Sequence, residues 1–303
     1  MKKKLNFLII TGLTDAEGSF IVNIVKDENK YKTSQTGFKV LSSFELALNV
    51  KDKFLLECLK LTLGVGNITY NNSDNTFKFK VTNINELYKV IIPFFIKYRL
   101  VTQKRADFEL FAKIVEIIIF KHHLTVEGLQ RIINLKVHLN RGLSADLKKI
   151  FPNTVPIPRP KVVFSGIPDP YWLVGFAEGE SCFFIRIYTS EKSRLGTAVQ
   201  LSFIITQHSR DKGLLYGILE YFASIGRVKN RSSNYCDFIV NSVKDLDEKI
   251  IPFFIKHPLP GSKSLNYLDF KKVLEMIKKK EHLTENGLFT IRKIKAGMNT
   301  GRK

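Results

Sequence analysis

Runs in which apolar and polar residues alternate follow an apolar segment in each half of the chain. Ser19–Val25 (SFIVNIV) and Cys182–Tyr188 (CFFIRIY) have the two-residue period of a half-buried β-strand. We predict that Gly37–Asn49 and Ala198–Gln207 form their hairpin partners. The apolar segment before the first run, Leu5–Glu17, is long enough for about three turns of helix. Each half is therefore expected to begin with a helix followed by two strands.

The remainder of each half predicts a second hairpin between helices. Turns rich in asparagine and serine at 71–75 and 231–234 adjoin stretches such as Phe77–Val81, in which phenylalanine alternates with lysine. One face of such a sheet is apolar and packs inward, while the other is polar. Further helices are expected at Asp52–Leu63, Arg210–Ser224, Asn85–Phe95, Lys104–Lys121 and Thr125–Asn140. The predicted fold class is α+β, with two αββαββα domains that each contain a four-stranded antiparallel sheet.

The second half repeats the sequence of the first. Ile91–Lys97 (IIPFFIK) recurs unchanged at Ile250–Lys256, at an offset of 159 residues. Lys121–Leu129 (KHHLTVEGL) recurs at the same offset as Lys280–Leu288 (KEHLTENGL). A period of this length is the size of a domain rather than of a solenoid repeat. We therefore expect two domains that arose by duplication and are related by a pseudo-twofold axis.

A proline-rich stretch marks the boundary between the two copies. Six of the ten prolines lie between Pro152 and Pro170, and proline favours an extended, stiff connector. We predict a first domain at 1–141, a linker at 142–167 and a second domain at 168–303.

The charge of the chain limits the class of partner. Lysine and arginine number 48 against 28 acidic residues, which gives a net charge of +20 and attracts polyanions. Nucleic acid is the leading candidate and an anionic membrane surface the weaker one. No segment approaches the ~18–20 apolar residues of a membrane span. The three cysteines are scattered and predict neither a disulfide framework nor a zinc site.

Two similar motifs carry the candidate chemistry. Residues 10–18 read ITGLTDAEG and residues 173–181 read LVGFAEGES, so Glu17 and Glu180 occupy matching positions. Small residues four apart on each predicted helix, Gly12 with Ala16 and Gly175 with Gly179, favour close packing of the two helices. Such packing would bring the two carboxylates together.

Two carboxylates at adjacent helix C-termini repel each other and the helix dipoles. A divalent cation relieves both problems, and the carbonyls of Ala16 and Gly179 are available as further oxygen ligands. Sites with few carboxylates suit Mg²⁺ when substrate phosphates complete the coordination shell. The alternative is that Glu17 and Glu180 are solvated acids at helix ends.

The two motifs resemble those of the single-chain LAGLIDADG homing endonucleases, and the IIPFFIK and Lys-x-His-Leu-Thr segments resemble those of fungal mitochondrial members. The resemblance covers almost the whole chain. It implies a saddle of two sheets across duplex DNA and metal-dependent hydrolysis of both strands, leaving short 3′ overhangs. It also implies that Glu17 and Glu180 are the metal-binding catalytic acids and that Ala16 and Gly179 lend carbonyls. The expected ion is Mg²⁺, with Ca²⁺ or Mn²⁺ able to take its place.

Other residues are candidates for supporting roles near the two motifs. Lys104 and Lys263 are repeat-related and are candidates for electrostatic stabilisation or water positioning, although contact with a phosphate at the surface explains them equally well. Gln207 is a candidate for orienting water or DNA in the second half only, since its repeat partner is a leucine. Asp15 and Glu178 match a second acidic position of the family motif, where support of the helix end is favoured over metal ligation. The motif ends in Gly18 in one copy and Ser181 in the other, and a left-handed turn there would strain serine.

The outward faces of the predicted sheets are expected to read DNA. Two halves with strands of this length cover about 16–20 base pairs, and their different sequences predict an asymmetric target. A shift of one residue in strand register would exchange the two faces. The candidate base-facing residues are Asn23, Lys39, Ser43 and Lys80 in the first half, and Arg186, Gln200, Ser202, Lys229 and Arg231 in the second.

Three functions compete. A site-specific endonuclease acting as a monomer on double-stranded DNA is favoured over a maturase that binds intron RNA and over a DNA-binding regulator that does not cleave. The histidines show no metal-ligand spacing and are expected to be structural. The abundance of lysine, asparagine, isoleucine and phenylalanine suggests an AT-rich coding genome, as in a fungal mitochondrion.

Overall fold

The structure is a computed structural model that describes residues 3–27 and 36–302. The chain divides into two compact units, Met1–Ser165 and Gly166–Lys303. Among the described residues, no helix has the length and apolar character needed to cross a bilayer.

The first unit follows the predicted order of elements. Its first six are α1 (Phe7–Glu17), β1 (Gly18–Lys26), β2 (Phe38–Asn49), α2 (Lys53–Leu63), β3 (Asn67–Asn71) and β4 (Thr76–Val81). Helix α3 comprises Ile84–Glu86, a π-helical stretch at Leu87–Ile91, and Ile92–Lys97. The last helices are α4 (Lys104–Ile119), α5 (Val126–Lys136) and α6 (Ala145–Ile150).

The second unit repeats this order. It contains α7 (Pro170–Glu180), β5 (Ser181–Thr189), β6 (Thr197–His208), α8 (Lys212–Tyr221), β7 (Arg227–Asn230) and β8 (Tyr235–Val240). Helix α9 again has three parts, Val243–Asp245, a π-helical stretch at Leu246–Ile250, and Ile251–Lys256. Helices α10 (Lys263–Lys278) and α11 (Glu285–Ala296) complete the unit.

Each unit contains one four-stranded antiparallel sheet. The strand orders are β1-β2-β4-β3 and β5-β6-β8-β7. The predicted α+β fold is therefore confirmed. The strand period explains the arrangement, because alternate residues such as Phe20, Phe44 and Phe79 are fully buried on one face of the first sheet.

An aromatic cluster anchors the sheet of each unit to its helices. The ring of Phe20 lies 5.3 Å from that of Phe44 and 5.5 Å from that of Phe95, which belongs to the IIPFFIK repeat. In the second unit, Phe183 lies 5.4 Å from Phe254, the matching residue of the second IIPFFIK. The exact repetition of this segment thus reflects a shared core, and truncating such a phenylalanine to alanine typically costs about 3–5 kcal/mol.

The stretch predicted as an extended linker is partly helical and packs on the first unit. Ser144 caps α6 by accepting a hydrogen bond from Leu147 N, and Leu147 is buried in the first core. Farther along, Arg159 forms an ion pair with Asp107 of α4, with 2.6 Å between Nη1 and Oδ1. Residues 154–169, which contain most of the prolines in this stretch, have no helix or strand, so the extended part of the predicted linker is its proline-rich part. Helix α6 precedes it because a capping serine and apolar residues come before the prolines.

Candidate active site

The motif helices both end at the predicted glutamates. Residues Ile9 to Asp15 of α1 are all buried, whereas Glu17, the last residue of the helix, is exposed. Helix α7 ends in the same way at Glu180, which is half-buried. Each unit therefore presents one carboxylate at a helix C-terminus, where the helix dipole adds partial negative charge.

The chain passes directly from each motif helix into a strand. The backbone is extended at Gly18 (φ −74°, ψ 156°) and at Ser181 (φ −86°, ψ 155°). The expectation that a left-handed turn would strain Ser181 was therefore wrong, since any residue can adopt these angles. The reason for glycine in the first copy is local space. A Cβ at Gly18 would lie 2.5 Å from Cγ2 of Thr14, whereas the matching residue in the second unit is Ala177.

The two repeat-related lysines bind the ends of the motif helices. Lys104 is the first residue of α4, and its Nζ donates hydrogen bonds to the carbonyls of Thr14 (2.9 Å) and Ala16 (3.1 Å). Lys263, the first residue of α10, donates to the carbonyls of Ala177, Gly179 and Ser181 at 3.1, 2.9 and 2.6 Å. An ammonium group in this position offsets the negative end of the helix dipole.

The second acidic residue of the first motif holds the loop that leads to Lys104. Asp15 is 3% exposed and accepts hydrogen bonds from Val101 N (2.8 Å), Thr102 N (3.1 Å) and Thr102 Oγ1 (2.7 Å). A buried carboxylate that accepts several donors is well satisfied. This contact agrees with a supporting role at the helix end.

Glu178 makes the corresponding contact in the second unit with different atoms. It accepts hydrogen bonds from Gly261 N (3.1 Å) and Lys263 N (3.3 Å). Pro260 occupies the position that matches Val101 and has no N–H to donate. Both acids thus bind at or just before the start of the helix that carries the repeat-related lysine.

The donor set at each helix end fits a hard divalent cation. A carboxylate oxygen of Glu17 or Glu180 and a carbonyl oxygen of Ala16 or Gly179 are the ligand types that Mg²⁺ and Ca²⁺ prefer. A carbonyl that accepts one lysine hydrogen bond keeps a second lone pair. Within residues 3–27 and 36–302, no group of three or more His, Cys, Asp or Glu side chains gathers into a metal site. Each unit alone would therefore depend on substrate oxygens to complete a coordination shell.

Four candidate DNA-contacting residues of the first unit lie on the face of the sheet opposite Phe20 and Phe44. They are Asn23, Lys39, Ser43 and Lys80. Asn23 and Lys39 are exposed, and Lys39 Nζ lies 2.8 Å from a carboxylate oxygen of Asp27. Ser43 is only 6% exposed, and its Oγ donates a hydrogen bond to Glu45 Oε1 at 2.9 Å.

In the second unit the strand candidates likewise lie opposite the buried phenylalanines. They are Arg186, Gln200, Ser202 and Lys229. Arg186 pairs with Gln200 across the two strands, and its guanidinium lies 4.9 Å from the centre of the Tyr188 ring. Arg231 was expected in the same strand as Lys229 but lies in the turn after β7, because the strand ends at Asn230.

Gln207 lies near the end of β6, two residues beyond Ile205, which pairs with Ser181 at the start of β5. Its strand position puts it on the side of Ile205, opposite the side that carries Gln200 and Ser202. It is half-buried. Its location separates it from the outward-facing residues, and a role in catalysis remains a prediction.

Sequence reasoning missed an acidic residue on the outward face of the first sheet. Glu45 is buried, and its carboxylate lies 2.8 Å from Lys80 Nζ and 3.1 Å from Lys78 Nζ. Burial alone would raise the pKa of Glu45, but hydrogen bonds from Lys80, Ser43 and Lys78 outweigh burial and lower the pKa below its usual value. The alternation of Phe77–Val81 predicted that the two lysines lie on the outward face. Glu45 could be recognised as their acidic partner only once the strand pairing was known.

Comparison with protein families places both halves of the chain in one group. A family model described as LAGLIDADG endonuclease matches residues 10–115 and 173–274. A protein of Neurospora crassa named probable intron-encoded endonuclease 2 is 39% identical over 96% of this chain. The chain spans 64% of the length of that relative.

Solved structures of two homing endonucleases share the fold over nearly their full length. A structure of I-LtrWI bound to target DNA has 52% identity and a TM-score of 0.93, and the alignment covers 98% of each chain. A structure of I-SmaMI bound to cleaved DNA has 40% identity and a TM-score of 0.94, covering 100% of this chain and 99% of that one. I-SmaMI also has structures with uncleaved DNA and calcium ions, and with alanine replacing two lysines that are 159 residues apart. Lys104 and Lys263 are separated by the same interval.

Proposed function

Because this chain belongs to the LAGLIDADG endonuclease family, we propose that it is a site-specific homing endonuclease. It binds a long asymmetric DNA duplex as a monomer and hydrolyses both strands, leaving short 3′ overhangs. The observation that carries the proposal is the matched arrangement at Glu17 and Glu180. In each unit a glutamate ends a buried helix, and a lysine binds the carbonyls of its last turn.

Glu17 and Glu180, with the carbonyls of Ala16 and Gly179, are the donors that would hold divalent cations. Mg²⁺ is the ion expected, and Ca²⁺ or Mn²⁺ could occupy the same donors. When bound, such an ion lowers the pKa of a water molecule and stabilises charge on the phosphate. A structure of I-SmaMI bound to uncleaved DNA in the presence of calcium ions supports the use of a divalent cation.

Lys104 and Lys263 add positive charge where the phosphate would gain negative charge. Their ammonium groups are held at the helix ends by carbonyl acceptors, so they need little rearrangement when the substrate binds. Asp15 and Glu178 act through these lysines and are positioning residues. Gln207 is proposed to orient water or DNA in the second unit only, because the matching residue of the first unit is a leucine.

The outward faces of the two sheets are proposed to bind the duplex. Their lysines and arginines, within a chain of net charge +20, suit a phosphate backbone, and their polar side chains can reach base edges. The residues proposed for DNA contact are Asn23, Lys39, Ser43, Lys80, Arg186, Gln200, Ser202, Lys229 and Arg231. The intron-encoded relative and the AT-rich codon usage implied by the composition support a mitochondrial gene.

A cleavage selection tests the function and identifies the target in one experiment. A randomised duplex library is incubated with the protein and Mg²⁺, and the cut ends are sequenced. We expect one asymmetric site of about 16–20 base pairs with 3′ overhangs, and no cutting when EDTA is added. Selective binding without any cleavage would reject the nuclease and favour the non-cleaving alternatives.

A further inference from the structure

The first outward row of unit 1 is polar in all four strands. This row consists of Ser19, Glu45, Lys80 and Asn67, which are successive cross-strand neighbours. Ser19 follows Glu17 by two residues, so the row is the first outward one along β1 after the motif helix. The next outward row on that side, which contains Lys78, includes only the other three strands. Any base pair that it contacts lies close to the proposed cleavage site.

Glu45 holds Lys80 of this row and Lys78 of the adjacent row in a defined arrangement. Its Oε1 accepts hydrogen bonds from Lys80 Nζ (2.8 Å) and Ser43 Oγ (2.9 Å), and its Oε2 lies 3.1 Å from Lys78 Nζ. The side chain of Glu45 is 9% exposed, whereas that of Lys80 is 42% exposed. The carboxylate is therefore covered, and the lysine amine is the group that an incoming DNA edge can reach.

The corresponding row of unit 2 is apolar at its two central positions. It consists of Cys182, Ile204, Ile239 and Arg227, paired in the same register. Ile204 and Ile239 are half-buried cross-strand neighbours that replace Glu45 and Lys80. The acidic residue of this sheet, Asp237, lies in the adjacent row and accepts a hydrogen bond from Thr206 Oγ1 at 2.7 Å.

We propose that the first outward rows determine base identity differently in the two half-sites. In the half-site of unit 1, Lys80, positioned by Glu45, donates to guanine. In the half-site of unit 2, Ile204 and Ile239 contact the methyl group of thymine. Lysine donors match the O6 and N7 acceptors of guanine, and apolar side chains match the thymine C5-methyl in the major groove. This inference rests on the proposed function, since it requires duplex DNA on the outward faces.

The test compares selections by binding and by cleavage. The wild type, Lys80→Met, Glu45→Gln and the double variant Ile204→Glu/Ile239→Lys each select from a randomised duplex library, with EDTA for binding and with Mg²⁺ for cleavage. In the wild type we expect guanine at one position of the first half-site and thymine at the matching position of the second. The expected preference is at least about fivefold over other bases.

Each variant has its own expected profile. Lys80→Met should lose the guanine preference at that single position, and Ile204→Glu/Ile239→Lys should replace thymine with guanine in the second half-site. Glu45→Gln keeps Lys78 and Lys80 but removes the carboxylate charge that holds their amines in place. Its guanine preference should fall while the slope of log affinity against log salt steepens by about one, as a freed lysine contacts phosphate.

Unchanged base profiles in variants that keep the wild-type melting temperature would overturn the inference. So would a uniform loss of affinity in Lys80→Met with a slope shallower by about one, because this identifies Lys80 as a phosphate contact only. Selective binding without cleavage would contradict the proposed nuclease function. The base preferences of the bound DNA would still test the inference in that case. A failure to select any DNA sequence contradicts both.

Discussion

The two units use different contacts to fix the helices that begin at the repeat-related lysines Lys104 and Lys263. In unit 1, Asp15 accepts hydrogen bonds from Val101 N and Thr102 N. In unit 2, the longer Glu178 reaches Gly261 N and Lys263 N, because Pro260 lacks the donor that Val101 provides. The two copies have thus diverged in sequence but keep a carboxylate that fixes the start of the lysine-bearing helix.

The junction between helix and strand shows the same kind of compensation. Thr14 leaves no space for a Cβ at Gly18, whereas Ala177 permits Ser181, whose Oγ donates to the Ala177 carbonyl at 2.6 Å. A residue that looks like a departure from the motif is therefore matched by a second change one helical turn earlier.

Apart from changes to the two glutamates, the largest expected effect is the loss of cleavage when Lys104 or Lys263 is replaced. Replacing Lys104 or Lys263 with methionine removes the ammonium group but keeps the aliphatic side chain. We expect cleavage of the strand served by that unit to fall roughly 10²–10³-fold, the cost of losing one electrostatic donor. Strand-specific nicking assays on a selected target measure this, and equal slowing of both strands would contradict separate roles.

Asp15→Ala should produce the largest loss of stability. The change leaves the N–H groups of Val101 and Thr102 without their carboxylate acceptor, and each unsatisfied buried donor costs about 1–3 kcal/mol. Chemical denaturation measures the free energy of unfolding. The exposed Asp74→Ala serves as a control and should change it by less than about 0.5 kcal/mol. Equal changes in the free energy of unfolding for Asp15→Ala and Asp74→Ala would contradict a supporting role for Asp15.

Gly18→Ser tests whether Thr14 explains the glycine. The added side chain overlaps Thr14, so we expect a destabilisation of about 1–3 kcal/mol. The double variant Thr14→Ala/Gly18→Ser reproduces the residues of unit 2. It removes the contact with Thr14 Cγ2 but keeps the Thr14 carbonyl oxygen, 2.8 Å from the new Cβ, so it should recover part of the loss in a double-mutant cycle. Additive costs of the two changes would mean that Thr14 is not the cause.

The smallest effect is a pH dependence shared by both units. Burial lowers the pKa of His123 and His282, although a hydrogen bond to the backbone opposes it. Because their folded pKa values lie below the unfolded value of about 6.5, the unfolded chain binds more protons as the pH falls. Stability is therefore retained above about pH 6.5 and decreases below it. Between pH 7.5 and 5.5 the melting temperature should fall less for His123→Gln/His282→Gln than for the wild type. An equal fall in both proteins would show that these histidines do not cause the pH dependence.

Features with a local period or an internal repeat were predictable from sequence. The alternation in Ser19–Val25 led to the correct strand because a strand period is visible in neighbouring residues. The recurrence of IIPFFIK led to the duplicated cores because an identical segment is visible wherever it lies in the chain. The Glu45–Lys80 pair was missed because it depends on strand register. The backbone at Ser181 was misjudged because its conformation depends on how the helix continues into the strand.

The central claim is that each unit contributes one essential carboxylate. Glu17→Gln and Glu180→Gln are measured separately for target binding in EDTA and for double-strand cleavage in Mg²⁺. The account predicts that each variant binds like the wild type and makes no double-strand breaks. Full double-strand cleavage by either variant would contradict it.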